Sequence, residues 1–179
     1  MSKKQSTLSH ILICLRASVP ILLLLLFQAL FINSIVSGLS MEPTLHQYDY
    51  VLGLRHPASI EVGDIIMLRA PDRDDGALYV KRVAAVGCDT IDISDIGTLV
   101  ITHADTGCVE QTDYKVPYNK KDMYPLTLSH GQIYVLGDNV TNSNDSRYFG
   151  GVSTEKIVAK AVFCLPANPV TQALAKIRF

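Results

Sequence analysis

The longest apolar stretch of the chain lies near its N-terminus. No charged residue occurs from Ala17 to Met41, and Val19 to Val36 is almost wholly apolar. At about 1.5 Å of rise per residue, a helix of roughly 20 residues crosses the ~30 Å hydrocarbon layer of a bilayer. The pattern therefore predicts a transmembrane anchor over residues 17–36, preceded by a short segment over residues 1–16.

The charges on either side of this stretch predict its orientation. Lys3, Lys4 and Arg16 precede it, and no acidic residue occurs before Glu42. Because positive residues stay on the cytoplasmic side of a membrane, we expect the N-terminus in the cytoplasm and residues 37–179 outside it. A cleavable secretory signal has the same basic start and apolar middle. The length of the run, without a clear small-x-small cleavage site after it, favours an uncleaved anchor.

The rest of the chain alternates short β-rich runs with turn residues. Six runs rich in Val, Ile, Leu or Tyr predict strands: Tyr48 to Arg55, Asp64 to Ala70, Leu78 to Val86, Thr98 to His103, Gln132 to Leu136 and Ile157 to Leu165. A short helix is predicted from Val170 to Phe179, and the polar segment from Ala104 to His130 is predicted to be a long hairpin or surface insertion. The fold expected is mainly β, one antiparallel-sheet domain over residues 37–179 on one N-terminal transmembrane helix.

Charge and cysteine spacing argue against several kinds of partner and cofactor. The net charge is −1, from 16 basic and 17 acidic residues, and no basic stripe with interleaved aromatics occurs. We therefore expect no nucleic-acid partner. The four cysteines form no C-x-x-C pair, so we expect no metal site, redox dithiol or other cofactor. Cys14 lies beside the apolar stretch; Cys88 and Cys108 could form a disulfide, and unpaired buried thiols are the alternative.

Candidate chemistry begins directly after the apolar stretch, at Ser40. Pro43 fixes its own φ and restricts Glu42 to extended backbone, which predicts a rigid chain beside Ser40. A nucleophile needs such rigidity, because it must be presented in a pose ready for attack. A polar loop leaving a bilayer has the same composition, so Ser40 is a candidate only in combination with a base.

A candidate base lies in the predicted strand over Leu78 to Val86. Lys81 and Arg82 must point to opposite faces, because side chains alternate along a strand. Lys81 shares its face with Tyr79 and Val83, and burial there would lower the pKa of the amine. A neutral lysine can take the proton of a serine hydroxyl near neutral pH. The ordinary alternative is an ammonium that reaches solvent along the sheet.

A third polar segment, from Gly137 to Gly150, follows a predicted strand. Asp145 and Arg147 could form a charge-assisted pair that holds this loop, and Ser143 or Ser146 could hydrogen-bond a catalytic amine. Turn residues dominate the segment, so an ordinary surface loop is the alternative.

In this order, behind an apolar anchor, these segments resemble the boxes of the bacterial type I signal peptidases, a serine–lysine dyad family. Ser40 to Leu45 is similar to the Ser-Met-x-Pro-Thr-Leu box, and Tyr79 to Val83 to the Lys-Arg-Val box preceded by Tyr and an aliphatic residue. Gly137 to Gly150 is similar to the Gly-Asp-Asn…Ser-x-Asp-Ser-Arg-x-x-Gly box, and Gly63 to Ile66 to a Gly-Asp-Ile/Val box. The likeness extends from Val36 to about Val162.

The resemblance implies a role for each matched residue. Ser40 would be the nucleophile and Lys81 its general base. Ser143 would orient the Lys81 amine, while Asp145 and Arg147 would hold the loop that carries Ser143. The backbone N–H of Ser40 would donate to the oxyanion, a type of contact worth ~3–4 kcal/mol in acyl transfer. Where many Gram-negative members have a second donor, a serine hydroxyl two positions before the nucleophile, this chain has a glycine.

The resemblance also implies a substrate and a location. The family cleaves signal peptides after small residues in an Ala-x-Ala pattern, because two shallow apolar pockets reject larger side chains. The residues that match pocket positions are Val36, Met41, Leu45, Tyr79 and Val80. The expected partners are preproteins with signal peptides and the lipid bilayer. The expected location is the inner membrane, single-pass, with the catalytic domain on the extracytoplasmic face.

Other functions remain open on the sequence alone. The same dyad could serve a specialised pilin or conjugation peptidase, or an organellar inner-membrane peptidase. From another class, a catalytically inactive membrane-anchored adaptor would share the anchor and the β-rich pattern. A Ser-Lys repressor is disfavoured because no DNA-binding half is recognisable, and none of the five histidines has the context of a Ser-His-Asp triad.

Overall fold

The structure, a computed structural model, describes residues 16, 18–72 and 75–175. Its first continuous element is helix α1 over residues 18–30, which runs directly into strand β1 (Phe31–Ile35). Within the predicted anchor over residues 17–36, residues 18–30 are therefore helical and residues 31–35 form a strand. Among the described residues, no helix combines the length and the apolar character that a membrane crossing needs. Most of the predicted segment 1–16, with Cys14, lies outside the described residues.

Strands build most of the described chain, and every pairing between them is antiparallel. After β1 they are β2 (Tyr50–Leu54), β3 (Ile65–Arg69), β4 (Leu78–Val86), β5 (Thr90–Ile93), β6 (Thr98–Thr102), β7 (Val109–Lys115), β8 (Leu126–Thr127), β9 (Gln132–Leu136), β10 (Val152–Ser153) and β11 (Ile157–Leu165). The larger sheet has the order β1-β2-β11-β3-β4-β9-β10, and the smaller one β7-β6-β5-β8. This architecture confirms the mainly β, antiparallel prediction for the domain.

Helical turns are few and short. Helix α2 (Ser146–Phe149) and helix α3 (Pro169–Ala175) flank β10 and β11, and 3₁₀ turns form at Tyr118–Met123 and Thr154–Lys156. Helix α3 lies in the predicted helical region, whose last four residues are outside the described chain. All six predicted strands are present, as β2, β3, β4, β6, β9 and β11.

The polar segment between residues 104 and 130 was predicted to be a long hairpin or a surface insertion. Its first strand, β7, pairs with β6 as a hairpin, and the segment is not a surface insertion. It supplies β7 and β8 to the smaller sheet, which shares a buried core with β4 and β9 through Ile91, Leu99 and Tyr134. The sequence of β7 is polar and most of its side chains are exposed, so no hydrophobic alternation marks it as a strand.

A second buried cluster lies beneath the N-terminal part of the larger sheet. Val36, Met41 and Leu45 pack there against Val51 of β2 and Met67 of β3. Burying an apolar side chain of this size contributes about 1.5–3 kcal/mol. The loop between β1 and β2 is thereby fixed by its own side chains.

The cysteines that the structure describes are free and exposed: Cys88, Cys108 and Cys164. Cys88 and Cys108 form no disulfide, and the alternative of buried thiols is wrong for them as well.

Candidate active site

Ser40 lies in the β1–β2 loop, which is closed at its base by backbone hydrogen bonds. Val36 N–H donates to the Asp49 carbonyl at 2.9 Å, and Tyr48 N–H donates to the Val36 carbonyl at 2.9 Å. One residue beyond Ser40, the side chain of Met41 is 1% exposed. Ser40 is therefore held between a paired strand end and a side chain anchored in the core.

Lys81 lies on β4, opposite Ile66 of β3, and its side chain is directed at Ser40. Lys81 Nζ donates a hydrogen bond to Ser40 Oγ at 2.7 Å. The residue is 4% exposed, and Nζ lies 5.3 Å from the centre of the Tyr79 ring. The prediction that Lys81 lies on a buried face of β4 is correct, and the alternative of an ammonium that reaches solvent is wrong.

Burial is the main reason that the Lys81 amine is easier to deprotonate than an ordinary lysine. Desolvation lowers the pKa of Lys81 to about 8, against the opposing effect of the Asp145 carboxylate; the Arg147 guanidinium lowers it further. At pH 7 roughly one amine in ten is then neutral, and at pH 8 about half. A free lone pair beside a serine hydroxyl is the arrangement that general-base catalysis needs.

Arg82, the next residue on β4, has a different environment on the opposite face. Its Nε and Nη2 donate to the two carboxylate oxygens of Asp138 at 2.8 and 2.6 Å, and Nη1 donates to the Gly63 carbonyl at 2.8 Å. Burial would raise the pKa of Asp138, but hydrogen bonds from Arg82 and Thr44, together with the positive charges of Arg82 and Lys81, lower that pKa overall. This pair connects β4 to the start of the Gly137–Gly150 segment.

Asp145 and Arg147 form a buried, two-pronged ion pair within that segment. Arg147 Nε donates to Asp145 Oδ1 at 2.8 Å, and Nη2 donates to Oδ2 at 2.9 Å. Asp145 also accepts the Gly137 N–H at 3.1 Å, while Arg147 Nη1 donates to the Val140 carbonyl at 2.9 Å. Both ends of the loop are thus tied to one ion pair, which is the geometry expected for a loop-holding role.

Ser143 lies against Gly137 and the backbone of Ser40. A Cβ at position 137 would collide with the Ser143 side chain and the Ser40 carbonyl, so only glycine fits there. Ser143 Oγ is buried and makes no hydrogen bond with any described residue. The predicted contact between Ser143 and Lys81 is therefore not formed in this structure, and its orienting role remains a prediction.

Asn139 connects this loop to the segment that carries Ser40. Its N–H donates to the Ser40 carbonyl at 3.0 Å, and its Nδ2 donates to the Leu39 carbonyl at 3.0 Å. No role for Asn139 was predicted from the sequence, although the residue stands in the Gly-Asp-Asn part of the matched box. Asn139 therefore holds the peptide units on both sides of the Ser40 Cα.

A groove of about 730 Å³ runs past Ser40 and Lys81. It is lined by residues 34–41, residues 75–81, Asn142 and Asn144. Of the five predicted substrate-binding residues, Val36, Met41, Tyr79 and Val80 line it. Leu45 does not line it; the side chain lies in the buried cluster, to which Val36 and Met41 also belong. Within the described ranges, no three His, Cys, Asp or Glu side chains converge as metal ligands would.

Comparison with known proteins assigns the chain to a family. The family model described as signal peptidase, peptidase S26, matches residues 8–166. The chain belongs to this signal peptidase family. Its members are serine peptidases, so the chain is a peptide-bond hydrolase of the signal peptidase I type, as the three boxes predicted.

Relatives of this signal peptidase occur in bacteria and in organelles. It is 29% identical to the probable signal peptidase I-1 of Synechocystis sp., over 83% of this chain and 81% of the relative. It is 32% identical to mitochondrial inner membrane protease subunit 2 of Saccharomyces cerevisiae, over 80% of this chain and 72% of that relative. A signal peptidase I crystal structure from Enterococcus faecalis aligns with 59% of this chain and 97% of that one, at 27% identity and a TM-score of 0.42.

Proposed function

We propose that the chain is a membrane-bound endopeptidase that cleaves signal peptides with a Ser40–Lys81 dyad. The observation that carries this proposal is the 2.7 Å contact between Ser40 Oγ and the Nζ of a lysine that is 4% exposed. Serine is a weak nucleophile unless a base removes its proton, and a desolvated amine is a competent base near neutral pH.

The chemistry is a two-step acyl transfer. Ser40 Oγ attacks the carbonyl carbon of the scissile bond while its proton passes to Lys81 Nζ. The resulting ammonium gives that proton to the leaving nitrogen, which frees the mature protein and leaves an ester on Ser40. Water, deprotonated by Lys81, then hydrolyses the ester. The Ser40 N–H stabilises the oxyanion; Gly38 has no hydroxyl to add a second donor.

The loop from Gly137 to Gly150 supports the dyad. Asp145 and Arg147 hold it in place. Ser143 is the residue that we assign to orienting the amine. This assignment is consistent with the position of the buried Ser143 hydroxyl beside Gly137 and the Ser40 carbonyl.

The lining of the groove supports the proposed specificity for small residues. Val36, Met41, Tyr79 and Val80 form its walls next to Ser40, and the buried cluster below gives Met41 little room to move. A closely packed wall accepts alanine and rejects larger side chains, because overpacking costs about 1–3 kcal/mol. We therefore propose cleavage after Ala-x-Ala sequences.

The bilayer is the proposed site of action. The described part of α1 is apolar, and its leucines are about half exposed or more. We propose that residues 17–36 contain the anchor, with the N-terminus in the cytoplasm and the catalytic domain outside. A preprotein held in the same membrane gains effective concentration at Ser40 without additional contacts.

Two substitutions test the dyad in the purified full-length chain in detergent, with a peptide that contains Ala-x-Ala. Ser40→Ala and Lys81→Ala should each abolish cleavage while the protein remains folded. Ser59→Ala and Lys160→Ala are matched controls outside the groove, on a loop and on β11, and should retain turnover. Near-normal cleavage by either dyad variant would exclude this mechanism.

An organellar or otherwise specialised client is the second candidate, favoured by the 32% identity to a mitochondrial inner membrane protease subunit. Sequencing the new N-termini that the enzyme produces in a cell lysate separates the two. Many exported proteins cut after Ala-x-Ala support general signal peptide cleavage, whereas one or two clients support a specialised peptidase.

A further inference from the structure

The smaller sheet contains none of the residues proposed above for catalysis, yet one of its side chains reaches the candidate active site. The Tyr114 hydroxyl, on β7, donates a hydrogen bond to the Gly137 carbonyl at 3.0 Å. The Tyr114 ring lies 5.2 Å from the Arg147 guanidinium carbon, a distance typical of a cation–π contact. Tyr114 therefore contacts both the start of the catalytic loop and the ion pair that holds it.

Gly137 is fixed from two sides. Its carbonyl accepts from Tyr114, and its N–H donates to the buried Asp145 carboxylate at 3.1 Å. The absence of space for a Cβ at position 137 means that the loop backbone lies directly against the Ser40 carbonyl. A displacement of Gly137 would therefore also displace the backbone of Ser40.

The connection to the nucleophile continues through Asn139, two residues later. The backbone N–H and side-chain amide of Asn139 hold the carbonyls of Ser40 and Leu39, each at 3.0 Å. The path from Tyr114 to Ser40 thus consists of two hydrogen bonds of 3.0 Å and the short, sterically tight backbone segment between Gly137 and Asn139. Nucleophile placement is sensitive to such supports, because a displacement of about 1 Å can cost roughly 100-fold in rate.

The Tyr114 hydroxyl remains a donor over the working pH range of the proposed enzyme. Burial raises the pKa of Tyr114, and the nearby carboxylates of Asp138 and Asp145 raise it further. Backbone contacts also fix the strand here: Tyr114 N–H donates to Thr112 Oγ1 at 3.3 Å, and the Thr112 hydroxyl donates to the Leu99 carbonyl at 3.0 Å.

We propose that Tyr114 is a positioning residue for catalysis: by holding Gly137, it fixes the segment that places Ser40 for attack. This inference rests on the proposed Ser40–Lys81 function. It gives the smaller sheet a role in turnover, since its strand β7 then contributes directly to the geometry of the nucleophile.

The chain offers a matched control in Tyr124. Its hydroxyl lies in the same intersheet core and is hydrogen-bonded to that of Tyr134 at 2.6 Å, not to Gly137. Tyr114→Phe and Tyr124→Phe each remove one hydroxyl and keep the ring. Full-length variants in detergent are compared for kcat and KM on an Ala-x-Ala peptide, and for thermal midpoint.

We expect Tyr114→Phe to lower kcat about 10-fold, with KM changed less than about twofold. Tyr124→Phe should leave kcat within about twofold, even if it lowers the thermal midpoint by as much or more. The rate at which a serine-reactive inhibitor labels Ser40 should fall with kcat in Tyr114→Phe, because both report the position of the hydroxyl.

An unchanged kcat in folded Tyr114→Phe would overturn the inference, as would equal losses in the two variants that follow their thermal midpoints. If Tyr114→Phe does not fold, Thr112→Val serves instead: it removes the side-chain acceptor of Tyr114 N–H, and an unchanged kcat there contradicts the proposal. Activity remaining in Ser40→Ala would instead show that the proposed function itself has failed.

Discussion

The two faces of β4 give opposite environments to two neighbouring cations. Lys81 is buried, its hydrogen-bond partner is a neutral hydroxyl, and the pKa of its amine is lowered to about 8. Arg82 is paired with a carboxylate, which raises its pKa. The difference shows that sequence position alone does not make a basic residue chemically useful. What matters is whether the fold removes water from it without supplying an anion.

The alternation of side chains along β4 explains how one strand provides both environments. Because successive residues point to opposite faces, Lys81 reaches the groove while Arg82 reaches the segment that begins at Gly137. One cation is available for proton transfer, and the other connects β4 to the loop that supports Ser40.

The largest expected effect comes from exchanging the cation on the groove face. In Lys81→Arg the guanidinium stays protonated over the whole pH range of the assay, so it cannot take the Ser40 proton. We expect kcat/KM to fall about 10³-fold or more. Arg82→Lys preserves the charge opposite Asp138 and should cost less than about 10-fold in the same peptide assay. Comparable losses in both variants would mean that the two faces do not differ in function.

The pH profile sharpens the comparison without any substitution. Because the base must be neutral, kcat/KM should rise about tenfold per pH unit on the acid side and level off above a pKa near 8. The Arg82→Lys variant should show the same rise of kcat/KM with pH. Measuring kcat/KM from pH 5 to 10 tests this prediction. A rise that continues to about pH 10 would indicate an ordinary solvated lysine, and a flat profile would exclude Lys81 as the base.

Asp138→Asn tests the paired face. The substitution leaves the Arg82 guanidinium without its carboxylate, and we expect the free energy of unfolding to fall by about 1–2 kcal/mol, a modest value because Arg82 is partly exposed. Turnover should fall several-fold, since Asn139 is the next residue. Urea unfolding and the peptide assay measure the two effects. Unchanged stability would show that the pair contributes nothing to the fold.

The smallest effect is the acid dependence of that pair. The folded-state pKa of Asp138 is lowered, so its stabilisation is complete above the unfolded carboxyl pKa of about 3.9 and is lost as the pH falls through the folded value. The stability difference between wild type and Asp138→Asn should therefore shrink below about pH 4. Urea titrations between pH 2.5 and 6 provide the measurement, and a difference independent of pH would contradict this assignment.

Local patterns in the sequence predicted the parts of the site that depend on local geometry. Strand alternation correctly separated Lys81 from Arg82, and the charge pair of Asp145 and Arg147 was identified from residues two apart. Family likeness then brought three distant segments to one place. The spacing of neighbouring residues and the order of the motifs are enough to predict these features.

Long-range packing explains what the sequence did not predict. Met41 and Leu45 are both apolar and lie one turn apart, and only the structure shows that Leu45 faces the core rather than the groove. Strand β1 was hidden in an apolar run predicted to be helical, because its pairing with β2 decides its conformation. Tyr114 contacts Gly137 across 23 residues, and no local pattern signals such a contact.

The junction between α1 and β1 has a mechanical consequence. No loop separates them, the rings of Phe27 and Phe31 stack across the join with centroids 5.0 Å apart, and Arg55 N–H holds the Leu30 carbonyl at 2.8 Å. Helix and strand are therefore joined directly, and β1 ends at Ile35, five residues before Ser40. A change in the direction of the helix would therefore act close to Ser40, the proposed nucleophile, because no flexible linker lies between α1 and β1.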